Sequence, residues 1–576
     1  MDSSNEVKNL LKENYLKVKQ LIRAKDPDDN PYKSQYEAKE LLNEMKNFLE
    51  QIEDKENDIR ECAKLAGVYF LLGTVFMATD ENASAEDHLL KCYKMIEDSS
   101  DHADNILCAT ACLNQIGLLY ARSLKNEDAL SFLHKSAEIY KSFTSKESDE
   151  EPVTFLTMFT DTSPKTEKYG FVILEKTHTL TLYYLAQVYT AMDRRDEGAM
   201  YCFKTLRRQI ESNDFEPIEW SVNCATMSQF LVEKNAFKEA RHHLAAATFV
   251  LDQHLSELLN KETPLESEEL EAKKEEISRR RSDVLRCWVK YCIMLLAFSK
   301  DRLTADGDGP EIELPSKELV GLSFPSLSDS LKEDVVTCDP LLTFDDARPV
   351  FLFGQKCCNE ATNYYTLTEH ASDYTNICLD HSQLYLGLAF FEDDEDRQCK
   401  MLKRRLDLLS NVIKSLNPNY YLDVCREIWM SLGQICSDMV GLKLMKIRLT
   451  GESPNTQKLM KINALVEDGV NHYTSFIKSF IDRRTNKMPT DYPKDHEQTI
   501  ILANLYAARL YSKYVRPDKA KSIEIDKKSM EFYQSIVDYA RSHKDVAKEM
   551  SAEVKIADDM LLLLPYKITR LSEFAN

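Results

Sequence analysis

The chain has 576 residues, with 95 acidic against 74 basic side chains and a formal charge of −21, a balance that repels nucleic acid and anionic lipid and attracts basic protein surfaces. Only 14 glycines and 17 prolines, with little alternation of apolar and polar residues, leave poor material for a sheet, so an all-α protein is expected. The length suits several domains or one long repeat array whose core grows with each added unit.

From Asn5 to Ala24 the apolar residues Val7, Leu10, Leu11, Tyr15, Val18, Leu21 and Ile22 keep helical spacing, and Asp26-Pro27 with Asn30-Pro31 breaks the helix. A second amphipathic segment runs from Ser34 to Ile52. The first helical hairpin has Tyr69, Leu72, Gly73 and Phe76 on one helix and Ala85, Leu89 and Cys92 on the next. The second has Leu113, Ile116, Gly117 and Tyr120, then Ala129 and Leu133. In both, a small residue is followed three later by an aromatic one and twelve later by another small one, which is tetratricopeptide spacing. Small residues let paired helices approach, and large ones fill the groove between them.

Between Ser142 and Lys168 the periodicity lapses into an acidic, Ser-rich excursion with an apolar patch at Phe155 to Phe159, which reads mainly as flexible filler. Two further hairpins of the same plan follow between Thr177 and Leu251. Leu182, Ala186 and Tyr189 are completed by Gly198; Cys224, Ser228 and Leu231 by Ala240, Leu244 and Ala247. After Pro264 a long helix passes through Arg279-Arg280-Arg281 and becomes apolar at Trp288, Tyr291, Cys292, Leu295 and Leu296; at about 1.5 Å per residue it extends roughly 50 Å and suits a strut. Asp301 to Pro340, dense in Gly and Pro, reads as a linker with one short helix. Helical units resume with weaker matches at Leu386, Gly387 and Phe390, at Trp429, Leu432, Gly433 and Cys436, and at Ala508, Tyr511 and Ala520. The expected division is an N-terminal array over 1–255, a linker helix and loop over 256–342 and a C-terminal array over 343–576.

The fifteen cysteines fall at helix-core positions such as Cys62, Cys92, Cys202 and Cys287, as free thiols in a reducing compartment would. The N-terminal residues Met1 to Glu6 lack a basic segment leading into an apolar run, and no stretch approaches about 18 apolar residues. A cytoplasmic protein without membrane insertion is therefore expected. No phosphate-cradling loop ending in Gly-Lys-Ser/Thr, no His-Glu-x-x-His and no Gly-x-Ser-x-Gly occurs, so neither an enzyme nor a cofactor is expected. Asp306 to Gly309 fails the calcium-loop offsets. His88 and Cys92, four apart, lack the further pair that a structural zinc needs. His242-His243 reads as a half-exposed helix edge, and Lys400, Lys403, Arg404 and Arg405 read as a solvated helix paired with the acidic run Glu392 to Asp396.

In a tetratricopeptide array the first helix of each hairpin lines the concave face, and its non-packing positions choose the ligand. Here those positions offer Asn114, Tyr183, Gln187, Thr190, Gln229 and Glu233. The set lacks the Lys and Arg pairs that clamp a C-terminal carboxylate; amides, a tyrosine and carboxylates suit a helix bearing Lys and Arg.

With these residues laid out, the sequence resembles the KIF-binding protein (kinesin-binding protein) family over nearly its whole length. The resemblance is most specific at Leu182 to Tyr189, Pro217 to Trp220 and Glu239 to His242, and it continues through Arg286 to Cys292, Ala389 to Glu392, Cys399 to Arg405 and Leu416 to Tyr421. It implies a tetratricopeptide-like right-handed α-solenoid, two subdomains joined by a long linker helix. It further implies a partner, the kinesin motor domain, whose microtubule-binding helix is held in the groove. Attachment to microtubules is then blocked, and kinesin-driven transport, cytoskeleton organisation and axon outgrowth are regulated by a cytoskeleton-associated protein. The competing expectation is a general scaffold or adaptor for cargo or cytoskeletal proteins.

Overall fold

The computed structural model describes residues 2–27, 30–51, 58–146, 150–160, 162, 168–260, 267–305, 315–450, 456–482, 484–485, 487–515 and 518–573. Among these residues there are 21 α-helices, and the one β pairing is the isolated bridge between Asp482 and Lys487. By its contacts the chain divides into two units, Met1–Met227 with Gly321–Asp329, and Ser228–Val320 with Ser330–Asn576. The fold is an all-α, solenoid-like succession of helices packed against their neighbours in sequence.

The first unit holds α1 (Asp2–Leu21), α2 (Lys33–Glu50), α3 (Ile59–Ala78), α4 (Asn82–Ile96), α5 (Ile106–Arg122), α6 (Asn126–Thr144), α7 (Phe155–Thr160), α8 (Tyr169–Ala191), α9 (Arg195–Glu211) and most of α10 (Pro217–Glu233). Its hairpins share one turn. Asp80, Leu124 and Asp193 take the left-handed conformation with φ of 59°, 60° and 58°. In each case the next amide donates back across the turn: Glu81 to the Phe76 carbonyl at 2.9 Å, Lys125 to Tyr120 at 2.9 Å and Arg194 to Tyr189 at 3.0 Å. This closes the helix end and satisfies a carbonyl that would otherwise lack a donor. The acceptors are the aromatic residues of the repeat pattern. The helices are then pressed together at the small positions: a Cβ added to Gly73 would stand 2.6 Å from Leu89 Cγ, and one added to Gly117 2.7 Å from Leu133 Cγ.

The excursion after α6 is not filler where it is described. Val153 N–H donates to the Ala103 carbonyl at 2.9 Å, and Gly170 N–H to Glu151 Oε1 at 2.7 Å. Between them α7 turns its aromatic residues onto the first helices. Phe155 stacks on Phe70 of α3 with centroids 5.3 Å apart, and Phe159 on Tyr15 of α1 at 5.0 Å. The apolar patch is thus part of the core, and the bare side of Gly67 in α3 is the recess that admits Phe155 and Met158. The α3 helix, 20 residues long with an 18-residue window of mean hydropathy 1.4, is long and apolar enough to cross a bilayer by composition, contrary to the sequence expectation, but eleven of its residues are buried in this core.

The second unit continues with α11 (Phe237–Leu259), α12 (Ser267–Thr304), α13 (Phe344–Tyr364), α14 (Ala371–Phe390), α15 (Glu395–Ser415), α16 (Leu422–Thr450), α17 (Thr456–Lys478), α18 (Glu497–Tyr511), α19 (Lys519–Ser542), α20 (Lys544–Glu549) and α21 (Ser551–Glu573). Asn235 repeats the left-handed turn at 59°, with Ala236 N–H donating to Leu231 at 2.8 Å. The expected strut, α12, is 38 residues long and is no bare rod: α11, α13 and α14 enclose Trp288, Tyr291, Cys292, Leu295 and Leu296.

The stretch read as a linker is pinned down where it is described. Phe324, fully buried, lies in the first unit against Trp220 and Phe203, with centroids 5.3 and 5.7 Å away. Residues 330–341 clasp the second unit. Arg241 donates to the Val336 carbonyl at 3.0 Å, His242 meets Glu333 Oε1 at 2.6 Å, Tyr291 OH donates to the Thr337 carbonyl at 2.8 Å, and Leu341 N–H donates to Ser299 Oγ at 2.9 Å. The clasp covers His242, and His243, whose Nδ1 lies 2.8 Å from the Glu239 carbonyl, is fully buried as well, so neither is a half-exposed edge. Arg405 likewise departs from the solvated-helix expectation: it is 4 % exposed, donates from Nε to Ser382 Oγ at 3.0 Å, and burial pushes its pKa down to about 10. The fifteen cysteines all lie among the described residues, and none of them is in a disulfide.

Two stability changes follow. Leu124 is 85 % exposed and strained by its left-handed backbone, so Leu124→Asn should raise stability by about 1 kcal/mol, read as a higher denaturant midpoint at unchanged m-value. Phe324→Ala should cost about 3 kcal/mol or more and alter the near-UV signal of Trp220, whereas the same change in a loose linker would do neither.

Candidate functional site

Helix α8 presents the candidate face most clearly. Its 23 residues bury Leu174, Thr181, Leu182, Leu185, Val188 and Tyr189 against α5, α6 and α9. Leu182, Leu185 and Tyr189 join a core with Ala129, Leu130 and Leu133, and the Thr181 hydroxyl lies 3.3 Å from that of Ser136. On the far side the closest crossing to α9 is at Gly198, where an added Cβ would stand 2.7 Å from Thr190 Oγ1 and 3.3 Å from the Ala186 carbonyl oxygen. What is left is one outer stripe: Val172, Lys176, Leu180, Tyr183, Gln187 and Thr190, all exposed and at steps of three or four that keep them on one side of the helix.

The stripe is apolar and amide in character. Val172 is 44 % exposed, Leu180 39 % and Tyr183 42 %, which is unusual for large apolar side chains standing together. Gln187 Nε2 donates to Tyr183 OH at 2.6 Å, so these two are brought together and share one orientation. Thr190 spends its hydroxyl proton on the Ala186 carbonyl at 2.8 Å, beside Gly198. The one charge on the stripe, Lys176, is paired with Asp214 at 3.0 Å. The chain's negative charge is therefore not carried by this surface.

Asn114 is placed differently. It is 1 % exposed, and its amide donates to the Thr177 carbonyl of α8 at 3.1 Å, so it ties α5 to α8 instead of facing outward. The N-terminal turns of α8 reach back across α5 and cover that position. On α5 Arg122 is exposed, and Ala111, Gln115, Leu118, Tyr120 and Ala121 are half-buried. In the second unit, half-buried Gln229 donates to the Cys287 carbonyl of α12 at 3.3 Å, while Glu233 is exposed. Leu180 and Val172 were missed from sequence because α8 begins before the repeat pattern does. The signal was present as a three-and-four spacing running backward from Tyr183.

The titratable groups beside the stripe are structural. His178 stacks on Tyr140 with centroids 3.7 Å apart, and burial, with the Arg208 charge adding to it, pushes its pKa down to about 3, so the ring is neutral. Arg208 is ion-paired with Glu175, which also accepts from Tyr140 OH at 2.8 Å. No nucleophile stands beside a base in this set. Of the residues weighed for a metal, His88 Nδ1 is 2.8 Å from the Ser84 carbonyl, and fully buried Cys92 has its sulfur 3.6 Å from that of Cys108. Among the described residues no group of three or more His, Cys, Asp or Glu could hold a metal ion, and Asp306 to Gly309 lies outside them.

Comparison with known proteins places this architecture. The family profile described as KIF-1 binding protein C terminal matches residues 218–571. A KIF-binding protein of Danio rerio is 32 % identical, covering 95 % of this chain and 94 % of its own length; that of Homo sapiens is 32 % identical with 95 % of both covered. A KIF-binding protein of Drosophila melanogaster is 29 % identical over 98 % of this chain and 97 % of its own. Among solved structures, that of a kinesin binding protein (KBP) superimposes with a TM-score of 0.64 at 29 % identity, covering 96 % of this chain and 98 % of that one. The span of these matches, from the first hairpins to α21, makes the chain a member of the KIF-binding protein family.

Proposed function

We propose that this protein binds kinesin motor domains and keeps them off microtubules. Membership of a family whose relatives are named for kinesin binding supports the partner, and the open stripe of α8 is the single structural observation that supports the mode. An amphipathic helix laid along Leu180 and Tyr183 buries apolar surface and finds the Gln187 amide as a hydrogen-bond partner, the helix-in-groove manner of recognition. Glu233, exposed in the second unit, is a separate candidate for meeting a cation of a motor domain. A motor surface that attaches to tubulin is basic, and a protein of charge −21 draws it in from a distance. Occupying that surface excludes the microtubule without any chemistry, and the protein then acts in the cytoplasm as a regulator of kinesin-driven transport, cytoskeleton organisation and axon outgrowth.

The purified protein should abolish microtubule co-sedimentation of an isolated motor domain and suppress its microtubule-stimulated ATPase. Leu180→Asp with Tyr183→Asp should weaken motor binding about tenfold or more while leaving the thermal midpoint in place, because both side chains are already exposed. An adaptor that uses other surfaces would lose nothing from these changes. Raising salt should slow association steeply and change dissociation little, since charge acts here at long range and the stripe itself is uncharged apart from the paired Lys176. A dissociation rate that rises in step with salt would contradict this division of labour.

A further inference from the structure

The last helix of the second unit, α21, is apolar on both sides. One side packs on α19 and α18 through Ala557 and Leu564, both buried, with Val554, Met560 and Leu561 partly buried beside them. Lys567 fastens the same helix to α19, donating to Asp526 Oδ1 at 2.7 Å. On the opposite side Ile556, Leu562, Leu563 and Tyr566 are 37, 68, 61 and 78 % exposed. A stacked array keeps the outer face of its last helix polar, because no further hairpin arrives to bury an apolar one. Here four large apolar side chains stand in water within about three turns of one helix.

The order of residues on that face says what covers it. Ile556, Asp559, Leu563, Tyr566 and Arg570, all exposed, follow one another at steps of three and four, the seam spacing of two helices packed side by side. An acid closes the apolar centre on one side and a base on the other, so the seam is complementary to its own reverse. Laid antiparallel on a second copy, Leu563 of each chain meets Tyr566 of the other, and Asp559 of each meets Arg570 of the other. Both pairings fall in the same register, because the two residue numbers sum to 1129 in each. A parallel arrangement would set acid on acid and base on base. Of the other charges on the helix, Lys555 and Asp558 lie beside the seam, and Lys567 is held by Asp526. The exposed Asp558 and Asp559 next to Leu562 oppose an anionic lipid surface. We propose that α21 pairs antiparallel with α21 of a second copy of this chain, joining two molecules by an isologous contact. One helix face on each side buries less than the roughly 800 Å² per partner of a standard stable interface, so the dimer is reversible and forms at about 10 μM.

Sedimentation equilibrium of the full chain from about 1 to 100 μM tests this, with a monomer–dimer transition expected inside that range. Leu563→Glu with Tyr566→Glu should leave the chain monomeric throughout and its thermal midpoint in place, since both side chains already stand in water. The charges give a second test that does not touch the apolar residues. Asp559→Arg alone and Arg570→Glu alone should each weaken self-association about tenfold, and an equimolar mixture of those two variants should restore it, because each then offers the charge that the other lacks. A wild-type chain that stays monomeric at about 100 μM overturns the proposal, even if α21 then binds vesicles or a helix of another protein. So does a dimer that survives Leu563→Glu with Tyr566→Glu, or a mixture of the charge variants that associates no better than either alone.

Discussion

Paired helices in this chain approach until a single methyl group no longer fits between them. The missing Cβ of Gly73 lies where Leu89 stands and that of Gly117 where Leu133 stands, and everything else about the array depends on those distances. At such separations the connecting turn has almost no freedom, which is why Asp80, Leu124, Asp193 and Asn235 adopt the same left-handed backbone and pass the same hydrogen bond back across the turn. Leu124 shows the strength of the constraint, because a leucine with its side chain in water gains nothing from that conformation for itself. Close nesting also consumes two sides of each helix, and an open stripe such as that of α8 is what remains.

The repeat plan was legible because its determinants are local. Residue size at fixed spacing decides how near two consecutive helices come, and that can be read from Gly73, Ala85, Gly117 and Ala129 without coordinates. What was not legible depends on residues distant in sequence. Nothing around Phe155 reveals that Gly67 leaves a recess for it, and Phe324 sits among glycines and prolines that signal a loop while its ring completes the core beside Trp220. His242 and Arg405 were misjudged for the same reason: the Glu333 clasp and the Ser382 hydroxyl come from elsewhere in the chain. At the candidate site, repeat position identified Tyr183 and Gln187 as exposed, but it failed for Asn114, which the N-terminal turns of α8 cover.

Charge and contact are separated in this molecule. The net charge of −21 belongs to the chain as a whole, whereas the α8 stripe offers Val172, Leu180, Tyr183 and an amide. Long-range attraction depends on the summed field, and residence on what is desolvated at the contact. A stripe of this kind offers apolar surface and an amide at short range, while the summed charge of the chain acts only at a distance.

A stacked repeat protein can in principle become structured one hairpin at a time as it leaves the ribosome. The placement of Phe324 denies that to part of this one. Trp220 emerges roughly a hundred residues before the ring that covers it, an interval of roughly 5 to 20 s at ordinary rates of synthesis. During that interval an indole and its apolar surroundings stand uncovered, at the stage when chaperones select their clients. Nascent chains stalled between α12 and Phe324 are therefore the ones that should need such protection most.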